Sequence, residues 1–269
     1  MPSLIDLRID GHVAVITLNN PARRNAMTRA MWRELRSVVH GINSTIRCII
    51  VQGEGASFCA GGDISEYPEF RFNEETLRAF HEDDVAPALH ALLACDVPII
   101  AQIEGHCMGG GLEIAACCDI RMAGETASFG APIAKLGMPM APLELAIVLR
   151  AAGEAAVRAM LLEAHVFSAQ QMAHSGFVQH VVADSVVAAQ ARASAQRIAA
   201  LSPQAARLNK QAMRQFYQSN MPVVQVSIAQ KAIKNIANDS PKTSPFAYAA
   251  SAEHVEGINA FLEKRPAKF

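Results

Sequence analysis

The stretch Gly105–Ile120, GHCMGGGLEIAACCDI, sets three consecutive glycines directly ahead of an acid and an apolar run. The residues before it, VPIIAQIEG (97–105), form a short apolar run rich in β-branched side chains, which reads as a buried strand. The residues after the glycines, GLEIAACCDI, have helical apolar spacing and an alanine-rich composition. The order is therefore strand, tight glycine turn, helix, with Glu113 in the first helical turn. Taken alone, such a turn reads equally as a helix–sheet contact that only glycine fits. Glu113 alone reads equally as an acid favoured by the helix dipole.

A second glycine-rich loop, GEGASFCAGGDI (53–64), also follows a strand pattern, IRCIIVQG (46–53). Further strands are expected at HVAVITL (12–18) and DIRMAG (119–124). Helical patterns lie between them. In TRAMWRELRSVVHGI, Thr28 can cap the start, Gly41 can end the helix, and Met31, Leu35, Val38 and Ile42 share one face. Strands separated by helices predict an α/β class with crossover connections. From about residue 140 the pattern turns helical, with one strand-like break at FVQHVV (177–182). DSVVAAQARASAQRIAAL and SPQAARLNKQAMRQF read as amphipathic helices, the second opening with Ser202 as cap and Pro203 in its first turn. The expected division is an α/β core over 1–198 and a C-terminal helical region over 199–269, interrupted by NDSPKTSPF (238–246).

The chain has 269 residues, 51% hydrophobic and 18% charged, enough for a sizeable core. A net charge of −1 argues against general nucleic-acid binding, which needs a basic face. No apolar run is long enough to span a bilayer, and MPSLIDLRID carries acids where a secretory signal would be apolar. The six cysteines form no CxxC pair and lie mostly in apolar stretches, so free buried thiols and a cytoplasmic location are expected. The sequon matches at Asn43 and Asn238 read as chance in such a chain. There is no GK[ST] phosphate loop, GxSxG elbow or HExxH, and nine histidines show no metal-ligand rhythm, so no metal is expected. GEGASF (53–58) misses the dinucleotide pattern GxGxxG by placing Phe58 last.

Two strand ends, each followed by a glycine loop, can bring free backbone N–H groups together at one sheet edge as an oxyanion hole. At these residues the chain resembles a known family. ASFCAGGDI, GHCMGGGLEIAACCDIRMA, ASFGAPIAKLGMP, the terminal EGINAFLEKRPAKF and the early NPARRNAM together resemble the crotonase superfamily of enoyl-CoA hydratases and isomerases, in the family's order over nearly the whole chain. The resemblance implies a crotonase-like spiral of ββα units with a helical C-terminal region that trimerises, as a homotrimer or a hexamer built from two trimers. It implies an acyl-CoA thioester substrate whose carbonyl becomes an enolate, and no cofactor besides the coenzyme A that the substrate carries.

Position by position, Ala60 and Gly110 match the residues whose N–H groups polarise the thioester carbonyl, and Glu113 matches the first catalytic glutamate. The glycines would let the thioester oxygen approach the helix start. Arg24 and Ala26 match the loop along the pantetheine and nucleotide; Gly62, Asp63 and Ile64 match the segment at the adenine end. Phe261 and Lys264 sit where the family's last helix reaches coenzyme A, commonly from a neighbouring subunit. The hydratases' second glutamate is matched by Ile133, and the usual glycine pair downstream is replaced by GMPMAPLEL (137–145). Glu144 either points back into the pocket or sits on a helix surface. Water addition conveniently uses two carboxylates, whereas moving a double bond needs one acid–base group. The expectation is a hydratase-type lyase, with a single-glutamate isomerase as the alternative and a non-catalytic thioester-binding protein as a further one.

Overall fold

A computed structural model describes residues 4–220 and 244–269. Its first hairpin pairs β1 (Ile5–Asp10) antiparallel with β2 (Val13–Leu18). Every residue of β2 is buried, as expected of a strand covered on both faces. β3 (Cys48–Gly53), β4 (Ile99–Ile103), β6 (Ile120–Gly124) and β9 (His180–Val182) continue the sheet in parallel, in the order β1-β2-β3-β4-β6-β9. β1 carries no apolar run because it is an edge strand: only Ile5 is buried, and Leu7 and Ile9 face solvent. A small second sheet joins β5 (His106–Met108), β7 (Ser128–Gly130) and β8 (Val166–Ser168), strands too short to carry a recognisable period.

Helix α1 (Arg29–His40) begins where Thr28 Oγ1 accepts a hydrogen bond from the Met31 N–H at 3.1 Å, and Gly41 closes it. Its buried face is Met31, Trp32, Leu35 and Val39, with Val38 and Ile42 only partly buried against the core. α2 (Tyr67–Phe70), α3 (Glu74–Ala79), a π-helical segment (Phe80–Val85) and α4 (Ala86–Ala94) then cross from the second glycine loop back to β4. α5 (Gly110–Cys117) carries the opening motif. α6 (Pro142–Ala152), α7 (Glu154–Leu162), α8 (Ala169–His174), α9 (Val187–Ala200), α10 (Pro203–Asn220) and α11 (Ala252–Leu262) make the second half mostly helical.

The expected division at residue 198 falls inside α9. Ala191 and Ala195 of that helix are buried in a cluster with Val13, Val15, Cys48, Ile50, Ile100 and Met122, so α9 covers one sheet face and belongs to the α/β layer. The larger core lies on the other face. The later helices are bound to the same body. Lys210 Nζ of α10 donates to Asp119 Oδ2 at 2.7 Å and to the Val97 carbonyl at 3.0 Å. α11 packs on the 3₁₀ turn Ile133–Leu136 so closely that a Cβ on Gly257 would lie 2.3 Å from the Leu136 carbonyl carbon. Asn238 and residues 238–243 of the expected break lie outside the described residues. The six cysteines are unpaired and five are buried. No helix among the described residues is long and apolar enough to cross a membrane.

Candidate active site

The two glycine loops meet through the backbone. Cys59 and Cys107 form a parallel bridge, with the Cys59 N–H donating to the His106 carbonyl at 2.8 Å and the Met108 N–H to the Cys59 carbonyl at 2.9 Å. Met27 and Gly62 form another: the Met27 N–H donates to the Gly61 carbonyl at 2.7 Å, and the Asp63 N–H to the Met27 carbonyl at 2.8 Å. Three segments distant in sequence are thereby fixed around the start of α5. Gly109 turns the chain into the helix at φ 46°, ψ −115°, a conformation that L side chains rarely adopt. Gly111 permits the close approach, since a Cβ there would lie 2.7 Å from the Cys59 carbonyl oxygen.

The first backbone bond of α5 runs from the Glu113 N–H to the Gly109 carbonyl at 3.0 Å. The N–H groups of Gly110, Gly111 and Leu112 precede it and have no intrahelical partner. The Ala60 N–H differs, because it donates to the Arg24 carbonyl at 2.9 Å. Any other acceptor at the Ala60 N–H would have to share or displace this bond.

Beside this edge stand two carboxylates. Burial pushes the Glu113 carboxyl up to about 8; the charge of Glu144 adds to the rise and that of Arg71 opposes it. Glu144 is therefore no surface residue. It is 2% exposed, in the first turn of α6, and its Oε1 accepts from His81 Nδ1 at 2.7 Å. His81 comes from the π-helical segment and stacks on Phe246, 5.5 Å between ring centroids. Arg71, at the end of α2, lies with its guanidinium carbon 4.0 Å from the Tyr67 ring centroid. Ile133, at the start of its 3₁₀ turn, is half-buried against the main core.

A family model described as "Enoyl-CoA hydratase/isomerase" matches residues 8–269. The chain belongs to the enoyl-CoA hydratase/isomerase family. It is 31% identical to a probable enoyl-CoA hydratase of Mycobacterium bovis over 97% of this chain and 95% of that protein. It is 32% identical to the 2,3-dehydroadipyl-CoA hydratase of Escherichia coli, over 96% and 94%. A solved structure of an enoyl-CoA hydratase/carnithine racemase from Magnetospirillum magneticum superposes with a TM-score of 0.79 at 34% identity, covering 100% of this chain and 96% of that one. The fold is accordingly the crotonase fold expected from the sequence.

The remaining positions matched to this enoyl-CoA hydratase/isomerase family divide into two groups. Arg24, Ala26, Gly62, Asp63 and Ile64 lie together around the Met27–Gly62 bridge. Arg24 is exposed with φ 52°, and its Nη1 donates to His106 Nε2 at 3.2 Å; the proton on Nδ1 then faces Ser128 Oγ, 3.1 Å away. Ala26 is buried, and its carbonyl accepts from Asn20 Nδ2 at 2.9 Å. Asp63 is buried, accepts from the Ser65 N–H at 3.1 Å to cap a 3₁₀ turn that Ile64 opens, and pairs with Arg23 at 2.8 Å. Its carboxylate thus holds the loop. Phe261 and Lys264, at the end of α11, are exposed, and no hydrogen bond joins either side chain to the loop residues.

Arg71, His81, Tyr67 and the buried Asn25 had gone unread. Asn25 Nδ2 donates to the carbonyls of Glu54 and Ser57 at 2.9 and 2.7 Å, which shapes the second glycine loop. An arginine between aromatics in EFRFN was the one sequence signal available for Arg71.

Proposed function

We propose that this enoyl-CoA hydratase/isomerase family member adds water to, or eliminates it from, a 2-enoyl-CoA thioester, using Glu113 and Glu144 as its two carboxylates. The observation that carries the reading is the charge of Glu144 acting on Glu113 across the α5–α6 contact, with Glu144 buried and the Glu113 carboxyl raised to about 8. With its carboxyl raised to about 8, Glu113 holds a proton near neutrality. In the forward direction Glu144 takes a proton from water, and the water oxygen bonds to the β-carbon. The double-bond electrons move to the thioester oxygen, met by the Gly110 and Ala60 N–H groups. Protonated Glu113 then delivers its proton to the α-carbon, so the pair loses one proton and gains one. Glu144 would in this way replace the carboxylate that Ile133 lacks.

Coenzyme A would run past Arg24, Ala26, Gly62, Asp63 and Ile64, and no further cofactor is required. Exposed Phe261 and Lys264 favour a contact made in a homotrimer, or a hexamer of two trimers, in which they reach a neighbouring copy's thioester. The unpaired, mostly buried cysteines favour a cytoplasmic setting. The apolar Ile133 favours a second reading, double-bond isomerisation by Glu113 alone with water excluded. A purely binding role is disfavoured because a buried acid adds cost without helping to hold a thioester.

The deciding experiment measures hydration and isomerisation of short 2-enoyl- and 3-enoyl-CoA thioesters by the wild type and Glu144→Gln. Hydration that collapses in the variant while isomerisation survives supports the two-carboxylate reading. Isomerisation without hydration in the wild type overturns it, and binding with neither activity leaves the binding role. Sedimentation of a stable monomer that binds thioester tightly would overturn the oligomer.

A further inference from the structure

Most buried charges among the described residues are matched by a charged or hydrogen-bonding partner. Asp63 pairs with Arg23, Asp84 with Arg29 and Arg33, Glu144 with His81, and Lys210 with Asp119. Arg121 is surrounded by the carbonyls of Ala115, Cys118 and Phe177. Arg71 is just as deep, at 4% exposure, and makes no ion pair with any described carboxylate. Its Nη1 donates to the thioether sulfur of Met138 at 3.0 Å, a weak acceptor, and its side chain also hydrogen-bonds the hydroxyls of Tyr67 and Tyr248, all neutral partners. Its Nε is buried without a partner. The faces of Tyr67 and Phe80, with centroids 4.0 and 5.3 Å from the guanidinium carbon, hold it in place but satisfy no N–H.

An arginine so withdrawn from water is costly unless an anion meets it. Its position suggests which one. Tyr67 spans from Arg71 to the second glycine loop, since a Cβ on Gly62 would lie 2.2 Å from the Tyr67 hydroxyl. The charge of Arg71 also acts on Glu113, which puts the guanidinium within electrostatic reach of the acid at the start of α5. The planar fork of donors suits a carboxylate, whereas a methyl terminus would leave the charge and the buried Nε unmatched.

We propose that Arg71 binds a carboxylate at the far end of the acyl chain, so that the substrate is the monothioester of a dicarboxylic acid. The assignment rests on the acyl-CoA reading above but not on the reaction carried out. It is tested by calorimetric binding of two saturated thioesters of equal length, one ending in a carboxylate and one in a methyl group. The wild type is expected to bind the carboxylate form roughly ten- to a hundredfold more tightly, the range of a hydrogen bond to a charged group. Arg71→Met should abolish that preference and leave the methyl-ended form unaffected, and Arg71→Lys should restore part of it. Equal wild-type affinities overturn the proposal, as does an Arg71→Met protein, folded by thermal melt, that loses both ligands alike. If the variant does not fold, the wild-type comparison decides. Preferential binding without turnover would refute the hydratase reading and leave the Arg71 site standing.

Discussion

Glu113 and Glu144 occupy the first turns of two packed helices, α5 and α6, and the charge of one raises the proton affinity of the other. Separated by thirty-one positions in sequence, they come together because α5 presents its start to the sheet edge and α6 packs alongside it. His81 fixes Glu144 by a 2.7 Å bond and so limits how far that carboxylate can turn away. The pair gives the proposed site a proton donor and an acceptor even though Ile133 is apolar.

Replacing Glu113 by glutamine should lower turnover about a hundred- to ten-thousandfold with little change in thioester binding, the range of general acid–base catalysis. The kcat/KM profile of the wild type should contain an ionisation near 8 that the variant lacks. Near-complete turnover by Glu113→Gln on its best substrate would remove Glu113 from the chemistry.

Glu144→Gln removes the charge that repels the Glu113 carboxylate, so the remaining ionisation should move below about 8 while burial keeps it above the ordinary 4.5. Native Glu113 holds a proton that the unfolded chain has released between those values. Its contribution to stability is therefore fully present below pH 4.5 and is lost as pH rises through 8. Thermal melts across that window should fall less steeply in the variant, and identical slopes would mean that the two acids do not interact.

Ile133→Glu would place a carboxylate at the family's usual second position. Hydration of short 2-enoyl-CoA should increase relative to isomerisation in the folded variant. Both activities and a thermal melt are needed, and unchanged hydration would show that Ile133 does not face the reacting carbons.

His254 offers an independent test of the packing around Arg71. Burial, helped by the Arg71 charge, pushes its imidazole down to about 4, and its ring sits edge-on to Tyr248 and Phe72. The unfolded chain takes up a proton below about 6.5 that the native protein refuses until about 4, so the contribution of His254 to stability falls as pH drops through this interval. His254→Phe should flatten that slope in melts recorded from pH 7 to 4. Glu113 acts in the opposite sense over part of this interval, so the test is the difference between wild type and variant, and identical slopes would contradict the burial of a neutral ring.

Local signals carried much of the architecture. The runs at 12–18, 46–53, 97–105 and 119–124 are short and alternating or apolar, as suits strands covered by helices, and each proved to contain a sheet strand. Thr28, Gly41 and Ser202 announced helix limits because capping is chemistry between near neighbours; Ser202 Oγ accepts from the Ala205 N–H at 3.2 Å. The glycines of residues 109–111 were conspicuous because backbone conformation and close approach leave few substitutes. β1 was not legible, since an edge strand buries too little to impose a pattern.

The site divides along the same line. Glu113 beside a glycine turn is a local fact, and the sequence by itself placed it at the start of a helix after a buried strand. Whether Glu144 turned inward, whether the Ala60 N–H was already occupied by the Arg24 carbonyl, and where Arg71 lay were decided by tertiary structure alone. Each depends on a partner 36 to 67 positions away: Arg24 for Ala60, His81 for Glu144, Met138 for Arg71. A side chain's charge and size are written in the sequence, but the cost of burying it is set by the neighbours that the fold supplies.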